Sequence, residues 1–428
     1  MDTSRRELTY KRANPELRMQ SSQPSESEIN DILDECLADI VREFGQSANK
    51  PLGLESLVKE VYYRHISRWR RAWVSPERCI YPGCEQTTSI SSHTIQRAGS
   101  LRLISENGHV LSPRLNKSNG KLTLESIGLN EASTFTGFCE THEQIFKYER
   151  NKIMVTGDDY ESQVFRIVCR ELRTIRHHVL SIKDALVLYK KIATTEMIAR
   201  AMERLGDAFF KKYGIHRVSF QFDIENRITA LFRETIEECQ SIYDRIFRIF
   251  YQAFREDENH RLTAPALQLF EFSLPLEIPV ALAGRTGFTA LENNIAIDVD
   301  VILNVNPCSD KTVCFITCTE ENGSLVERFL GMYQSDIERL FLVENWMLYG
   351  SDHWFIKPST WLCLPARRRE ILCDIIRNSD DHIGTKCELS IFDATRIQLI
   401  EELKIFLLET PDNAFIQSLI ANEGSKLE

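Results

Sequence analysis

The spacing of apolar positions divides the chain into stretches of different period. After a polar opening over residues 1–24, Ile29, Ile32, Leu33, Cys36, Leu37, Ile40 and Val41 recur at helical spacing. Ser25 and Glu28 stand ahead of them as a capping box. Pro51 and Gly53 break the pattern, and Leu54, Leu57, Val58, Val61, Tyr62, Ile66 and Trp69 predict a second helix. Its far end carries Arg68, Arg70 and Arg71, where cations suit a helix C-terminus. Residues 76–150 lose this rhythm: turn formers, two early cysteines and scattered histidines describe a small domain held by something other than a large core. Helical period returns near Tyr160 and runs, with interruptions, to about residue 257. Its last part, 223–257, aligns Ile224, Ile228, Leu231, Phe232, Ile236, Cys239, Ile246, Phe250 and Phe254 on one stripe. At ~1.5 Å per residue this is a helix of about 50 Å, a bundle spine or an arm.

Beyond Arg261 the period shortens to two. Ile295, Ile297, Val299, Val301, Leu303 and Val305 recur at every second position, with Asp298 and Asp300 on the opposite face, and predict a half-buried strand. A turn at Asn306, Pro307, Cys308, Ser309 and Asp310 leads into residues 312–319, its expected antiparallel hairpin partner. Shorter helices are expected near Pro365 and after Asp393. The expected fold is α+β and multidomain. It comprises a flexible leader (1–24), N-terminal helices (25–75), a small finger (76–150), a long-helix domain (151–260) and an acidic α+β domain (261–428).

Composition narrows the class. Of 428 residues, 43% are hydrophobic and 27% charged, the balance of a globular protein. No run approaches 18 apolar residues, so no membrane partner is expected. The polar first 25 residues lack the core of a secretory signal, so a cytoplasmic location is expected. There the 12 cysteines would be reduced thiols, serving by packing or by metal ligation. The net charge of −10 is uneven, since residues 261–428 hold 14 basic against 25 acidic side chains. The remainder is close to neutral, and a local basic groove for nucleic acid is compatible with it.

Two cysteine-bearing turns carry the chemistry. Cys79 and Cys84 flank a Pro-Gly turn at C-x4-C spacing, and Cys139 with His142 forms a C-x2-H pair. Three sulfurs and one imidazole suit a tetrahedral structural Zn²⁺. The alternative is ordinary buried cysteines and a surface histidine. Between the pairs, Ser89-Ile90-Ser91-Ser92-His93-Thr94-Ile95 places a histidine at a strand end.

At these residues the chain resembles the HNH, or His-Me finger, nucleases, over residues 76–150 only. The resemblance implies a treble-clef-like ββα core with a structural zinc knuckle. It puts His93 at the general base that activates water, Cys79 and Cys84 on the first half of the knuckle, and Cys139 and His142 on the second. Glu143 takes the place of a metal-binding histidine, where its carboxylate would hold catalytic Mg²⁺ or Mn²⁺. Ser92 stands where the family often has a metal ligand, and the family's asparagine has no clear counterpart (Thr134 sits near its place). His109 follows an Asn-Gly turn. Either it is an extra metal ligand or phosphate contact, as Glu106 beside it could be, or it is a surface histidine opening the next strand.

Just after the finger, Arg166, Arg170, Arg173 and Arg176 (or His177) share one helical face. The row could track phosphates of a nucleic acid, or it could be a solvated face tied by Glu161 and Glu171. Asp298 and Asp300 read as a solvated strand face, Cys314 and Cys318 as core, and Asp352-His353-Trp354 and Asp380-Asp381-His382 as surface turns. No glycine-rich phosphate loop, serine elbow or Cys-x-x-Cys supports nucleotide hydrolysis or dehydrogenase chemistry. Two functions are therefore expected. One is a metal-dependent nuclease acting on DNA or RNA, which by resemblance to bacterial finger-bearing proteins could serve in phage defence. The other is a zinc-stabilised binding module without catalysis, with residues 261–428 receiving a protein partner or a regulatory ligand.

Overall fold

A computed structural model describes residues 26–46, 75–88, 91–116, 121–146, 160–213, 224–256, 262–378, 383 and 389–427. The leader, the expected second helix with its arginines, and the Asp380-Asp381-His382 turn lie outside the described residues. The chain forms two compact units, one drawn from residues 1–72 and 177–241, the other from 73–176 and 242–428.

In the first unit the helix Glu26–Gln46 follows the apolar period read from the sequence. Leu33, Cys36, Leu37 and Ile40 pack against Leu186, Tyr189, Ala193, Met197 and Ala201 of the helix Tyr160–Tyr213. Arg204 pairs with Glu35 and Asp39 on the rim. Gly206 interrupts that long helix, with φ of +71°, a conformation glycine adopts without a Cβ penalty. The expected 223–257 helix ends earlier, as Ile224–Ile249. A tight turn at Tyr251–Ala253 follows, and Phe250 and Phe254 leave the stripe to enter the core of the second unit.

The second unit is built on strands β1 (Ser91–His93), β2 (His109–Leu115), β3 (Leu122–Gly128), β4 (Thr134–Thr136), β5 (Arg255–Glu256), β6 (Leu262–Thr263), β7 (Leu267–Leu274), β8 (Val280–Glu292), β9 (Ile295–Pro307), β10 (Thr312–Thr319) and β11 (Trp354–Ile356). Seven of them make one antiparallel sheet in the order β3-β2-β11-β8-β9-β10-β7. The predicted hairpin of β9 and β10 is present, with Val305 opposite Cys314. On its other side β9 pairs with β8 across Asn293 and Asn294. Both asparagines have positive φ, 51° and 64°, the geometry of a two-residue type I′ turn.

Alternation along these strands sends side chains to two buried faces. On one, Leu282, Val301, Leu303, Val305, Cys314, Ile316, Cys318, Trp354 and Ile356 meet the helices Gly323–Leu330, Asp336–Asn345, Ala366–Arg377 and Asp393–Glu409. On the other, Ala281, Ala283, Ile302, Val313, Phe315 and Phe355 meet the start of the helix Tyr160–Tyr213 and the finger's Ile95, Phe135, Phe138 and Phe146. The finger is not a free-standing domain, because β2 and β3 leave it to extend the large sheet, with Leu111 opposite Ile356. No described helix is long and apolar enough to cross a membrane.

Candidate metal centre and the histidine beside it

Residues 78–87 close a knuckle. Arg78 bridges Thr87, the Cys79 N–H donates to the Gln86 carbonyl (2.8 Å) and the Cys84 N–H to Tyr81 (3.1 Å). Gly83 completes the turn at φ +72°, where nothing would touch a side chain but an L-residue would be strained. The second ligand pair sits where β4 ends and the short helix Glu140–Glu143 begins, with Cys139 at its N-cap. The Ile80 N–H donates to the Gly137 carbonyl (2.9 Å), which joins the two segments.

Their ligand atoms converge within 4.8 Å of one another. Cys84 and Cys139 sulfurs are 3.9 Å apart, and His142 Nδ1 lies 3.2 Å from Cys139 Sγ and 3.6 Å from Cys79 Sγ. A tetrahedron with Zn–S of ~2.3 Å and Zn–N of ~2.0–2.1 Å has edges of roughly 3.8 and 3.6 Å, so the donor set fits such an ion. Outer contacts orient the ligands, as metal sites require. The Cys139 N–H donates to Cys79 Sγ (3.3 Å), and Tyr81 stacks on the His142 ring at 4.0 Å while its hydroxyl donates to Glu256 (2.8 Å). Burial pushes the Cys79 thiol up to about 12. Burial also raises Cys139, but hydrogen bonds from the His142 backbone, Cys79, Cys84 and the Thr141 backbone outweigh it and leave that thiol below its ordinary value. Burial holds the His142 imidazole down, and neutral, as a ligand must be.

β1 pairs with β4, setting His93 opposite Thr134 at the strand end. The half-buried His93 donates from Nδ1 to the Ala132 carbonyl (2.9 Å). This fixes the tautomer, so the lone pair is on Nε2. Burial, then the Arg166 charge, then Arg97, lower its pKa to about 4 despite that hydrogen bond. The ring is therefore neutral at pH 7.

The four arginines do not form an open phosphate-tracking stripe. Arg166, Arg170 and Arg173 are buried, at 0%, 8% and 3% exposure. Arg166 lies over the Phe146 ring and pairs with Glu143 at 2.6 Å. Arg170 pairs with Glu171. Arg173 is a clamp: its guanidinium donates to the carbonyls of Arg78 and Thr136 and to Glu77, gripping the chain just ahead of both ligand-bearing segments. Arg176 alone of the four is exposed, near Glu77. Arg170 thus meets its neighbour in the chain, whereas Arg166 and Arg173 are turned inward by carboxylates from outside the helix, Glu143 and Glu77.

Glu143 is likewise engaged. One oxygen accepts from the Ser92 hydroxyl (2.5 Å) and the other from Arg166. A hard cation at that carboxylate would meet the Arg166 guanidinium. His109 is exposed, with Nδ1 donating to the Asn107 carbonyl (2.9 Å). Glu106 instead holds the N-terminus of the helix Pro358–Leu362, through the Ser359 N–H (3.0 Å) and hydroxyl (2.5 Å). Among the described residues the Cys3His group is the only convergence of three or more such ligands.

Other expectations shift too. Asp298 is exposed and accepts from Thr289, but Asp300 is not a solvated carboxylate: it pairs with Arg285 (2.8 Å) and Arg245 (3.0 Å). His353 and Trp354, expected on a surface turn, are buried, and His353 Nε2 lies 2.6 Å from the Thr94 hydroxyl. The only signal for this in the sequence was the apolar Trp-Phe-Ile run that follows His353. Comparison of the chain with protein-family models, with curated proteins and with solved structures finds no match.

Proposed function

We propose that the protein is a zinc-stabilised, His-Me-finger-like phosphodiesterase acting on nucleic acid, with His93 as its general base. The observation that carries this reading is the state of His93: a strand-end imidazole on β1, paired with the β4 strand that leads to Cys139 and His142, with Nδ1–H spent on the Ala132 carbonyl and the Nε2 lone pair left for a proton. In the proposed step a water oxygen bonds to phosphorus as its proton passes to Nε2. The bond to the leaving sugar oxygen breaks, and that oxygen takes a proton from solvent. Arg97 and Arg166 lower the basicity of His93 through their charge. A phosphate drawn to the exposed Arg97 would offset that part of the charge and make the imidazole a better base.

A second reading is favoured by one observation: Glu143 is closed off by Ser92 and Arg166. On it, the finger is a zinc-stabilised recognition module without catalysis, and residues 261–428 meet a protein partner. The two separate in one experiment. Purified protein and its His93→Ala variant are incubated with supercoiled plasmid, single-stranded DNA and RNA, with Mg²⁺, with Mn²⁺ and with EDTA. Cleavage that disappears in the variant supports the hydrolase. Equal cleavage by both proteins marks a contaminant and overturns His93 as the base, and none under any condition supports the module.

A further inference from the structure

His353 lies 259 residues from its partner in the finger, yet it is held as firmly as a core residue. Its N–H donates to the Ser351 hydroxyl (3.1 Å), and its carbonyl accepts from Ala283 of β8 (3.2 Å). Its ring meets Phe355 edge-on at 5.3 Å. The large sheet therefore fixes where Nε2 points.

That nitrogen shares a hydrogen bond with the Thr94 hydroxyl, which shares another with the Ser133 hydroxyl (2.5 Å). Ser133 is clasped further by the Ile95 N–H, donating to its hydroxyl (2.8 Å), and by the Thr94 N–H, donating to its carbonyl (3.0 Å). Its φ is +62°, a left-handed conformation in a residue other than glycine. Such a backbone costs on the order of 1–3 kcal/mol and persists only where surrounding contacts over-determine it. The peptide plane entering Ser133 carries the Ala132 carbonyl, the group that accepts from His93 Nδ1. Relaxing Ser133 would turn that carbonyl away from the imidazole.

We propose that His353 is a positioning residue for His93: through Thr94 it locks Ser133 in its left-handed conformation, which aims the Ala132 carbonyl and so fixes the His93 tautomer. Its consequence for catalysis rests on the hydrolase reading above, but the fixed tautomer can be read without it. Full-length protein labelled with ¹⁵N-histidine is compared with His353→Phe and His353→Gln, the His93 signals being assigned by their loss in His93→Gln. In the wild type His93 carries its proton on Nδ1. In His353→Phe that proton exchanges with water at least about tenfold faster, or the tautomers mix, with one zinc per chain retained. In His353→Gln, whose amide can still reach Thr94, the wild-type pattern returns. If the hydrolase reading holds, kcat falls by up to about 10²-fold in His353→Phe with KM unchanged.

Unchanged His93 signals in a folded His353→Phe protein overturn the proposal. Should that variant fail to fold, Thr94→Val and Thr94→Ser read the same contact from its other end. The serine variant alone should keep the wild-type signals, and equal behaviour of the two overturns the proposal. A tautomer shift in His353→Phe, with a wild type that cleaves nothing, upholds the positioning role and sinks the hydrolase reading.

Discussion

The two faces of the large sheet contrast in what they bury. Toward the C-terminal helices the layer is leucine, valine, isoleucine and tryptophan. Its main ionic feature is a closed cluster. Arg396 donates to Glu344 and pairs with Glu423, and Glu344 also accepts from the N–H groups of Ile391 (2.8 Å) and Phe392 (3.1 Å). Toward the finger the layer mixes Ala281, Ala283 and Phe315 with Asn304, Asn306, Gln163, Arg166 and His353, all buried. Gln163 donates to Asn306 (3.2 Å), while neither side-chain polar atom of Asn304 has a hydrogen-bond partner among the described residues. Burying polar groups costs stability unless they are paired. One face thus secures the fold, and the other spends part of that stability holding the finger, its metal ligands and His93 in place.

That contrast is sharpest at the metal. A zinc on the Cys3His group would tie the knuckle to the helix Glu140–Glu143, so Cys84→Ser or zinc removal should loosen that junction while the apolar packing of Ile95, Phe135, Phe138 and Phe146 remains, forfeiting a share of the ~10–16 kcal/mol that such sites contribute. Circular dichroism and zinc content read this, and a zinc-free protein with an unchanged melting curve would erase the distinction between the faces. Next in size is the closed cluster. Arg396→Ala removes the cation shared by two buried carboxylates, leaving Glu344 with neutral donors and Glu423 with Lys426 alone, and should cost about 3–5 kcal/mol in urea unfolding. A loss below about 1 kcal/mol would mean that the C-terminal helices are held by packing alone.

Smaller still is the protonation of His93. Its folded pKa of about 4 lies below the ~6.5 of an unfolded histidine. The unfolded chain therefore takes the proton first as pH falls. This contribution to stability is complete above pH ~6.5, declines through the window down to about 4 and is absent below it. The wild type's margin over His93→Gln should narrow by about 2 kcal/mol between pH 7.5 and 5. A constant margin would show that the ring titrates normally. Least of all, Asn304→Leu should leave stability unchanged or raise it by about 1 kcal/mol, because it removes an amide with no hydrogen-bond partner among the described residues. On the opposite face Leu303→Asn should cost several times that. Equal losses at the two positions would show that Asn304 is satisfied after all.

The legible parts of the molecule were those where local pattern and long-range structure agree. The β9 strand, its 312–319 partner and the helices after Pro365 and Asp393 follow from alternation, turn residues and apolar spacing. So does the pairing of two short-range ligand motifs, because C-x4-C across Pro-Gly and C-x2-H each presents its donors locally. What escaped was set by distant partners. Arg173 reads as a surface cation until the Arg78 and Thr136 carbonyls are brought to it. Glu143 reads as a cation ligand until Arg166 reaches it. His353 reads as a turn residue until β11 carries it into the sheet, beside the strand that bears His93.

The most direct test of the account is X-ray absorption at the zinc edge on the protein as purified, with its metal content measured alongside. The account predicts one zinc per chain in a first shell of three sulfurs near 2.3 Å and one nitrogen near 2.0 Å, and loss of one sulfur or of the metal in Cys139→Ser. A folded protein without bound metal, or a shell dominated by oxygen, would contradict it.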